Sequence, residues 1–260
     1  MPEVKSSGTH RRRAGILEML SRENRVNVIQ LMHAFQTSDT TIRNDLGEME
    51  REGLLRRVHG GAVGLKKAYY EMSLNDRMNI NKDEKIRIAK ACAALIKDGD
   101  TLMIDSGTTT RYLAKELAER GNLTVVTNAL LIAQEFVYDN SVNVILLGGN
   151  LDLQHQFVFG NDTLAQLQKY HADKMIISTD GISVKRGLTT YHHQETDVSR
   201  QMIERSNQVI AIADHSKIGR EGFSYIAPLS SLHTVVADAY AGNETELEEV
   251  RKQGIEVVEA

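Results

Sequence analysis

The chain has one cysteine, Cys92, in 260 residues. No intrachain disulfide can form, which fits a reducing cytoplasm, and there is no paired C-x-x-C motif to build a zinc site. Cys92 lies in the helical pattern "KIRIAKACAALI" and is expected to fill core space. No apolar run approaches the roughly 18 residues of a membrane span. The basic start "MPEVKSSGTHRRRAG" leads into a polar amphipathic pattern where a signal peptide would carry its apolar core. G-x-G-x-x-G after a strand and G-x-x-x-x-G-K-[ST] are both missing, which argues against dinucleotide and nucleoside triphosphate sites. Ser106 is not in a G-x-S-x-G elbow, so no catalytic nucleophile is assigned. The nine histidines are scattered and form no H-E-x-x-H. His192 and His193 are adjacent, a poor arrangement for chelation, and read as solvated loop residues. Neither a metal nor a cofactor is expected. Internal repeats and low-complexity segments are absent.

What is present is unevenly distributed. Charged residues are 25% and the hydrophobic set 41%, ordinary for a globular chain, and the formal net charge is −4. Residues 1 to 67 carry 12 Lys+Arg against 8 Asp+Glu, whereas the remainder carries 19 against 27. A basic head on an acidic body suggests that the head alone meets a polyanion.

The head divides into three helical patterns. Ile16, Leu17 and Leu20 line the first, and Val28, Leu31, Met32 and Phe35 the second. Ser38 is a good N-cap for the third, whose inner face is Ile42, Leu46 and Met49 and which ends at Gly53. Only Gln36 and Thr37 separate the second and third, the spacing of a helix-turn-helix. In "LLRRVHGGAV", Leu54 to Val58 alternate and His59-Gly60-Gly61 can reverse the chain, which predicts a small β-wing. With the apolar face inward, the third helix exposes Thr40, Thr41, Arg43 and Asn44. Arginine can pair with guanine and asparagine with adenine in a major groove, while threonine offers a hydroxyl or a methyl. Arg56, Arg57 and His59 on the wing, with Arg11 to Arg13 before it, suit phosphate contacts. Double-stranded operator DNA is the expected partner, read by Ser38, Thr40, Thr41, Arg43, Asn44, Arg56, Arg57 and His59.

The stretches Thr41-Ile42-Arg43-Asn44-Asp45-Leu46, Gly53-Leu54 and Arg57-Val58-His59-Gly60-Gly61-Ala62 resemble the N-terminal domain of the DeoR family of bacterial transcriptional regulators. Asn44 stands where that family more often has arginine, so an operator sequence does not carry over from relatives.

The segment of roughly 64 to 82 is polar without clear period and reads as a linker. The expected division is 1–70, a winged helix-turn-helix with the linker's start, and 71–260, a sensor domain. From about residue 83, helical runs alternate with the β-rich runs "TLMID", "LTVVTN", "NVILLGG", "KMIISTDG", "QVIAIAD", "HTVVAD" and "GIEVVE". Such alternation predicts an α/β, Rossmann-like domain with a mostly parallel sheet covered on both faces. Asp105, Ser106, Gly107 and Thr108, then Thr127 and Asn128, Gly148 and Gly149, Asp180 and Gly181, and Asp214 all follow strands. In an open parallel sheet those ends share one edge, where ligands bind.

"GDTLMIDSGTTT", "LTVVTNAL", "ILLGGNL", "DGIS", "RGLTT" and "ADHSKIG" are similar to the DeoR sensor domain over most of the body. That resemblance implies kinship in fold with ribose-5-phosphate isomerase and a phosphorylated sugar as effector. Ser106, Gly107, Thr108 and Thr109 are assigned to the phosphate with Lys217 adding charge, and Asn128, Asp180 and Glu195 to sugar hydroxyls. Asp105, Thr127, Gly148, Gly149 and Gly181 complete the expected effector site. The isomerase's Asp-Gly-Ala-Asp stretch stands here as Asp180-Gly181-Ile182-Ser183, without the second carboxylate, and its Lys-Gly-Gly neighbourhood is reduced to Lys185-Arg186-Gly187. Binding without turnover is therefore expected. The reading is a cytoplasmic repressor of a carbohydrate-utilisation operon, not an enzyme, acting as a homodimer or higher homo-oligomer. Two alternatives stand beside it: an isomerase-like enzyme with a DNA-binding appendage, and an interaction scaffold with a dead pocket.

Overall fold

A computed structural model describes residues 9, 12–13, 15–16, 19–20, 25–51, 54–64, 74–118, 120–138, 141–240 and 242–260, with Asn75 and Asp76 by backbone alone. Two compact units are present, residues 1–72 and 73–260.

In the first unit the order is β1 (Arg25–Asn27), α1 (Val28–Phe35), α2 (Asp39–Arg51), β2 (Leu55–Val58) and β3 (Gly61–Gly64). Asn27 starts α1 with a capping box: its side chain accepts from Gln30 N at 2.7 Å, and Gln30 Oε1 accepts from Asn27 N at 3.4 Å. Helix α1 stops at Gln36, which takes the left-handed conformation at φ 45°. Ser38 Oγ accepts from Thr41 N at 3.3 Å and opens α2 as the sequence predicted. Ile42, Leu46 and Met49 on α2 are buried against Ile16, Leu31 and Leu55. Each such side chain contributes about 1.5–3 kcal/mol. Strands β2 and β3 pair antiparallel around His59-Gly60 to make the wing. Strand β1 was not legible in the sequence; it pairs with β3 and adds a third strand to the wing. A Cβ on Gly61 would lie 2.0 Å from Val26 O, so only glycine lets β1 approach. Arg11, Leu17 and Gly53 lie outside the described residues.

The second unit opens with α3 (Leu74–Asn79) and α4 (Lys82–Ala93), so much of the stretch read as a linker is helical. Its pattern is hidden because α3 has only six residues, too few for an amphipathic period to register. Then come β4 (Thr101–Ile104), α5 (Thr108–Ala118), β5 (Leu123–Thr127), α6 (Leu130–Glu135), β6 (Val142–Leu146) and the hairpin β7 (Asn150–Asp152) and β8 (Phe157–Phe159). Next follow α7 (Asn161–Leu167), β9 (Ala172–Ile177), β10 (Gly181–Ser183), β11 (Gly187–Thr190) and α8 (Thr196–Glu204). The chain ends with β12 (Ser206–Ala213), a 3₁₀ turn at His215–Lys217, β13 (Ser224–Ala227), β14 (Thr234–Ala237), α9 (Glu244–Lys252) and β15 (Glu256–Glu259).

The seven β-rich runs of the sequence form one sheet in the order β15-β14-β12-β9-β4-β5-β6, parallel at every pairing. Alternation splits their side chains between two cores. Met103, Val209 and Ala211 pack on one face, and Leu102, Ile104, Ile210 and Ile212 on the other. Cys92 lies in the second core and is fully buried, which pushes its thiol up to about 12. The chain moves outward from β4 through β5 to β6, then returns to β9 on the other side of β4. The β4/β9 boundary is therefore the point where strand order reverses, the place where open α/β sheets leave a crevice.

Candidate functional site

On the first unit, Ser38, Thr40, Arg43, Asn44, Arg57 and His59 are exposed, and Thr41 and Arg56 are half-buried. Thr41 Oγ1 lies 2.9 Å from Ser38 Oγ, and Arg43 Nε donates to Asp39 Oδ1 at 2.5 Å. A groove of about 360 Å³ runs between α2 and the wing and places Arg43 beside Arg57 and His59. Arg57 Nε is 3.1 Å from Glu50 Oε2. Arg12 and Arg13, expected on phosphate, are instead turned inward. Arg12 pairs with the buried Asp45, with Nη2 3.2 Å from Oδ1, and Arg13 pairs with Asp45 and Glu48. The cause is Asp45: two residues on from Arg43 it faces the opposite, buried side of α2, and a carboxylate there needs cations beside it.

On the second unit a cavity of about 30 Å³ opens at the β4/β9 boundary. Ser106 and Gly107 line it after β4, and Ser178, Thr179 and Asp180 after β9. His155 and Phe157 come from the β7–β8 hairpin, Thr190, His192 and Glu195 from the stretch between β11 and α8, and Leu74 and Arg77 from α3. A Cβ on Gly107 would lie 2.7 Å from Ser178 Cβ, so glycine allows the two central strand ends to meet.

Charge in this cavity is arranged around Asp180. Its Oδ2 accepts from Tyr191 N at 2.9 Å and from Thr190 Oγ1 at 3.1 Å, and Oδ1 lies 3.9 Å from Arg77 Nη2. Burial pushes this carboxyl up, but Arg77 and then Lys217 outweigh burial and hold it down to about 2. Arg77 Nη1 lies 3.2 Å from His192 Nε2. Burial foremost, with Arg77 adding to it against the pull of Asp180, brings His192 down to about 4, so the ring is neutral at pH 7. Behind the cavity, Asp105 is buried with Ser199 Oγ at 2.7 Å from its Oδ2 and Ser106 N at 2.7 Å from its Oδ1. Burial, followed by the charge of Glu195 and a hydrogen bond with it, raises Asp105 well above the usual carboxylate range. Asp105 therefore favours its protonated form in the folded chain. Glu195 Oε1 also accepts from Asn128 Nδ2 at 3.0 Å.

Of the effector residues expected from sequence, Ser106, Gly107, Asp180 and Glu195 line the cavity, and Asp105 and Asn128 stand directly behind Glu195. Lys217 is buried and acts on Asp180 and Asp214 through its charge. Thr108 and Thr109 are buried in the first turn of α5, and Thr127 Oγ1 donates to Ile104 O at 2.7 Å, bracing β5 on β4. Gly148 and Gly149 pack on α7: Thr163 Oγ1 donates to Gly148 O at 2.8 Å, and a Cβ on Gly149 would lie 2.1 Å from Thr163 Oγ1. Gly181 gives close approach to Arg220, whose carbonyl a Cβ would meet at 2.3 Å.

Eight of the twelve lining residues were missed, among them three that carry nitrogen donors or acceptors: His192, His155 and Arg77. His192, read as solvated, is 5% exposed, whereas its neighbour His193 is exposed. The two residues open a turn closed by Glu195 N on His192 O at 3.1 Å, which leaves one histidine inside and the other out. His155 stacks edge-on to His192 with ring centroids 4.1 Å apart. Arg77 lay in the supposed linker; its position nine residues before "IRIAKACAALI" was the available signal. Among the described residues no His, Cys, Asp and Glu cluster could hold a metal. Among the described residues no helix is long and apolar enough to cross a membrane.

Residues 12–68 match the DeoR-like helix-turn-helix domain, and residues 80–239 match the DeoR C terminal sensor domain. The Bacillus subtilis HTH-type transcriptional repressor GlcR is 34% identical over 227 residues, covering 87% of each chain. The Agrobacterium fabrum transcriptional repressor AccR is 35% identical over 90% of this chain and 91% of its own. The Escherichia coli K12 glycerol-3-phosphate regulon repressor is 33% identical over 88% and 90%. These relatives are named as regulators, not enzymes. Among solved structures, ribose 5-phosphate isomerase A from Methanocaldococcus jannaschii overlaps 53% of this chain and 54% of its own at 17% identity and a TM-score of 0.40. With a capped recognition helix, a basic wing and a sensor domain matched in order along one chain, this protein belongs to the DeoR family of transcriptional regulators.

Proposed function

We propose that the protein represses a carbohydrate-utilisation operon in the cytoplasm, as a homodimer or higher oligomer, and that a phosphorylated sugar in the β4/β9 cavity alters operator binding. One observation carries this reading: a cation, two carboxyl groups and the Ser106-Gly107 turn converge on the crevice of a parallel sheet. The turn and Arg77 suit an anion, while Asp180, Glu195 and Thr190 suit hydroxyls. A relative named for the glycerol-3-phosphate regulon supports a phosphorylated effector by analogy. Arg43, Asn44, Thr40 and Thr41 would read bases, with Ser38, Arg56, Arg57 and His59 on the backbone.

Turnover is disfavoured by the same charges. Isomerisation needs a group that takes a proton and gives it back near neutral pH. Asp180, at about 2, remains ionised throughout that range. Ser183 occupies the place of the second carboxylate and accepts from Arg186 N at 3.1 Å. The test is a gel shift on the DNA upstream of the protein's own gene, titrated with phosphorylated and unphosphorylated sugars. Operator release by a phosphorylated sugar alone supports the reading. Conversion of that sugar, followed by NMR without any change in operator occupancy, overturns it.

A further inference from the structure

The cavity has room for about two waters, not for a sugar phosphate, so one wall must yield before a ligand enters. Four groups of wall residues are anchored. Ser106 and Gly107 follow β4, and Ser178 to Asp180 follow β9, strands paired on both sides within the sheet. His155 and Phe157 belong to a paired hairpin, and Thr190, His192 and Glu195 bridge β11 and α8. The remaining wall is α3, which joins no sheet. Six residues are far too few to be helical unaided. Side chains pin α3: Lys85 Nζ donates to the carbonyls of Arg77 and Ile80 at 2.6 Å each, and Tyr112 Oη donates to Met78 O at 3.3 Å.

We propose that Arg77 is the group that takes the ligand's anion, and that α3 swings outward to admit the ligand, whose phosphate replaces Asp180 and His192 on the guanidinium. This rests on the ligand-binding reading above and adds the residue and the movement. Two of the guanidinium's partners hold it weakly. Asp180 is 3.9 Å away, beyond hydrogen-bond range, and His192 is a neutral acceptor. A phosphate offers paired charged oxygens that match the guanidinium fork. Nor does the exchange strand a buried carboxylate, because the charge of Lys217 also acts on Asp180. Helix α3 is the first described element of the sensor in chain order, so its displacement pulls on the chain leading to the head.

The chain has no tryptophan, so Leu74→Trp in the full-length protein places a single emitter on this wall. Inorganic phosphate and glucose 6-phosphate are the probes, with glucose as control. Emission of the variant should move to longer wavelength as either phosphate compound is added, with the midpoint that calorimetry gives. In the unsubstituted chain, amide hydrogen exchange over residues 74–80 should quicken upon binding, a readout independent of how Leu74→Trp folds. Arg77→Met should weaken phosphate binding by about ten-fold or more, and Arg77→Lys should restore part of it. Equal binding by Arg77→Met overturns the anion role, and binding with both emission and exchange unmoved overturns the swing. If the unsubstituted chain binds neither phosphate compound, the ligand-binding reading itself fails and takes this inference with it.

Discussion

Arg77 donates from Nη1 to Nε2 of His192 at 3.2 Å. A guanidinium has no lone pair to accept with, so this ring nitrogen is the acceptor and the imidazole's proton sits on Nδ1. The ring therefore stays neutral in the folded chain down to about pH 4, whereas an unfolded histidine takes a proton near 6.5.

That difference sets a pH dependence. Between about 6.5 and 4 the unfolded chain binds the extra proton, so this residue's contribution to stability falls as pH falls. The loss is on the order of 2–3 kcal/mol. His192→Gln keeps an acceptor for Arg77 and should flatten the urea-unfolding profile across that window. Asp180 is expected to act lower, its contribution disappearing as pH drops from about 3.9 towards about 2.

The Asp105–Glu195 pair has the opposite sign. Asp105 is raised, so the folded chain keeps a proton that the unfolded chain releases above about pH 4, and stability is lost as pH rises. Asp105→Asn retains a partner for Ser199 and removes the shared charge. Its melting temperature at pH 8 should exceed the parent's, with the gap closing towards pH 4.

In the head, Arg43 stands at the groove beside Arg57 and His59. Its bond to Asp39 is solvent-exposed and worth little, so DNA can take the guanidinium from it. Arg43→Ala should weaken operator binding about 10- to 100-fold while leaving salt-sensitive binding to unrelated DNA nearly intact. A competition gel shift with both DNAs reads the ratio.

Gly61→Ala tests the third strand of the wing. The added Cβ meets Val26 O at 2.0 Å and Asn27 Cα at 2.8 Å, both backbone, so β1 must leave β3. A cost above about 2 kcal/mol is expected, with operator binding lost. Phosphate binding measured by calorimetry should be unchanged.

The large sheet was legible because its strands are buried on both faces and read as near-continuous apolar runs such as "QVIAIAD". Strand β1 was not, because Arg25-Val26-Asn27 buries one side chain of three and pairs with a partner more than thirty residues away. The small sheet of β10, β11 and β13 escaped for a similar reason: its strands hold three or four residues each. Three of the cavity's twelve lining residues were visible from strand ends alone. Ser106, Gly107 and Asp180 follow from topology, since strand C-termini share an edge. Arg77 and His155 could not be found that way. They come from a short helix and a hairpin, and their place is set by long-range packing.

The wing's turn is fastened to the first helix as well. Val28 N donates to Gly60 O at 2.8 Å, and Asn27 both ends β1 and caps α1. Reading head and wing therefore work like the two jaws of a fixed gauge rather than a hinged pair. A base pair inserted between the contacts proposed for Arg43 and those proposed for Arg57 should not be absorbed within one head. In the proposed oligomer, tolerance to altered spacing would then arise between copies, and a half-site would behave as an indivisible unit of sequence.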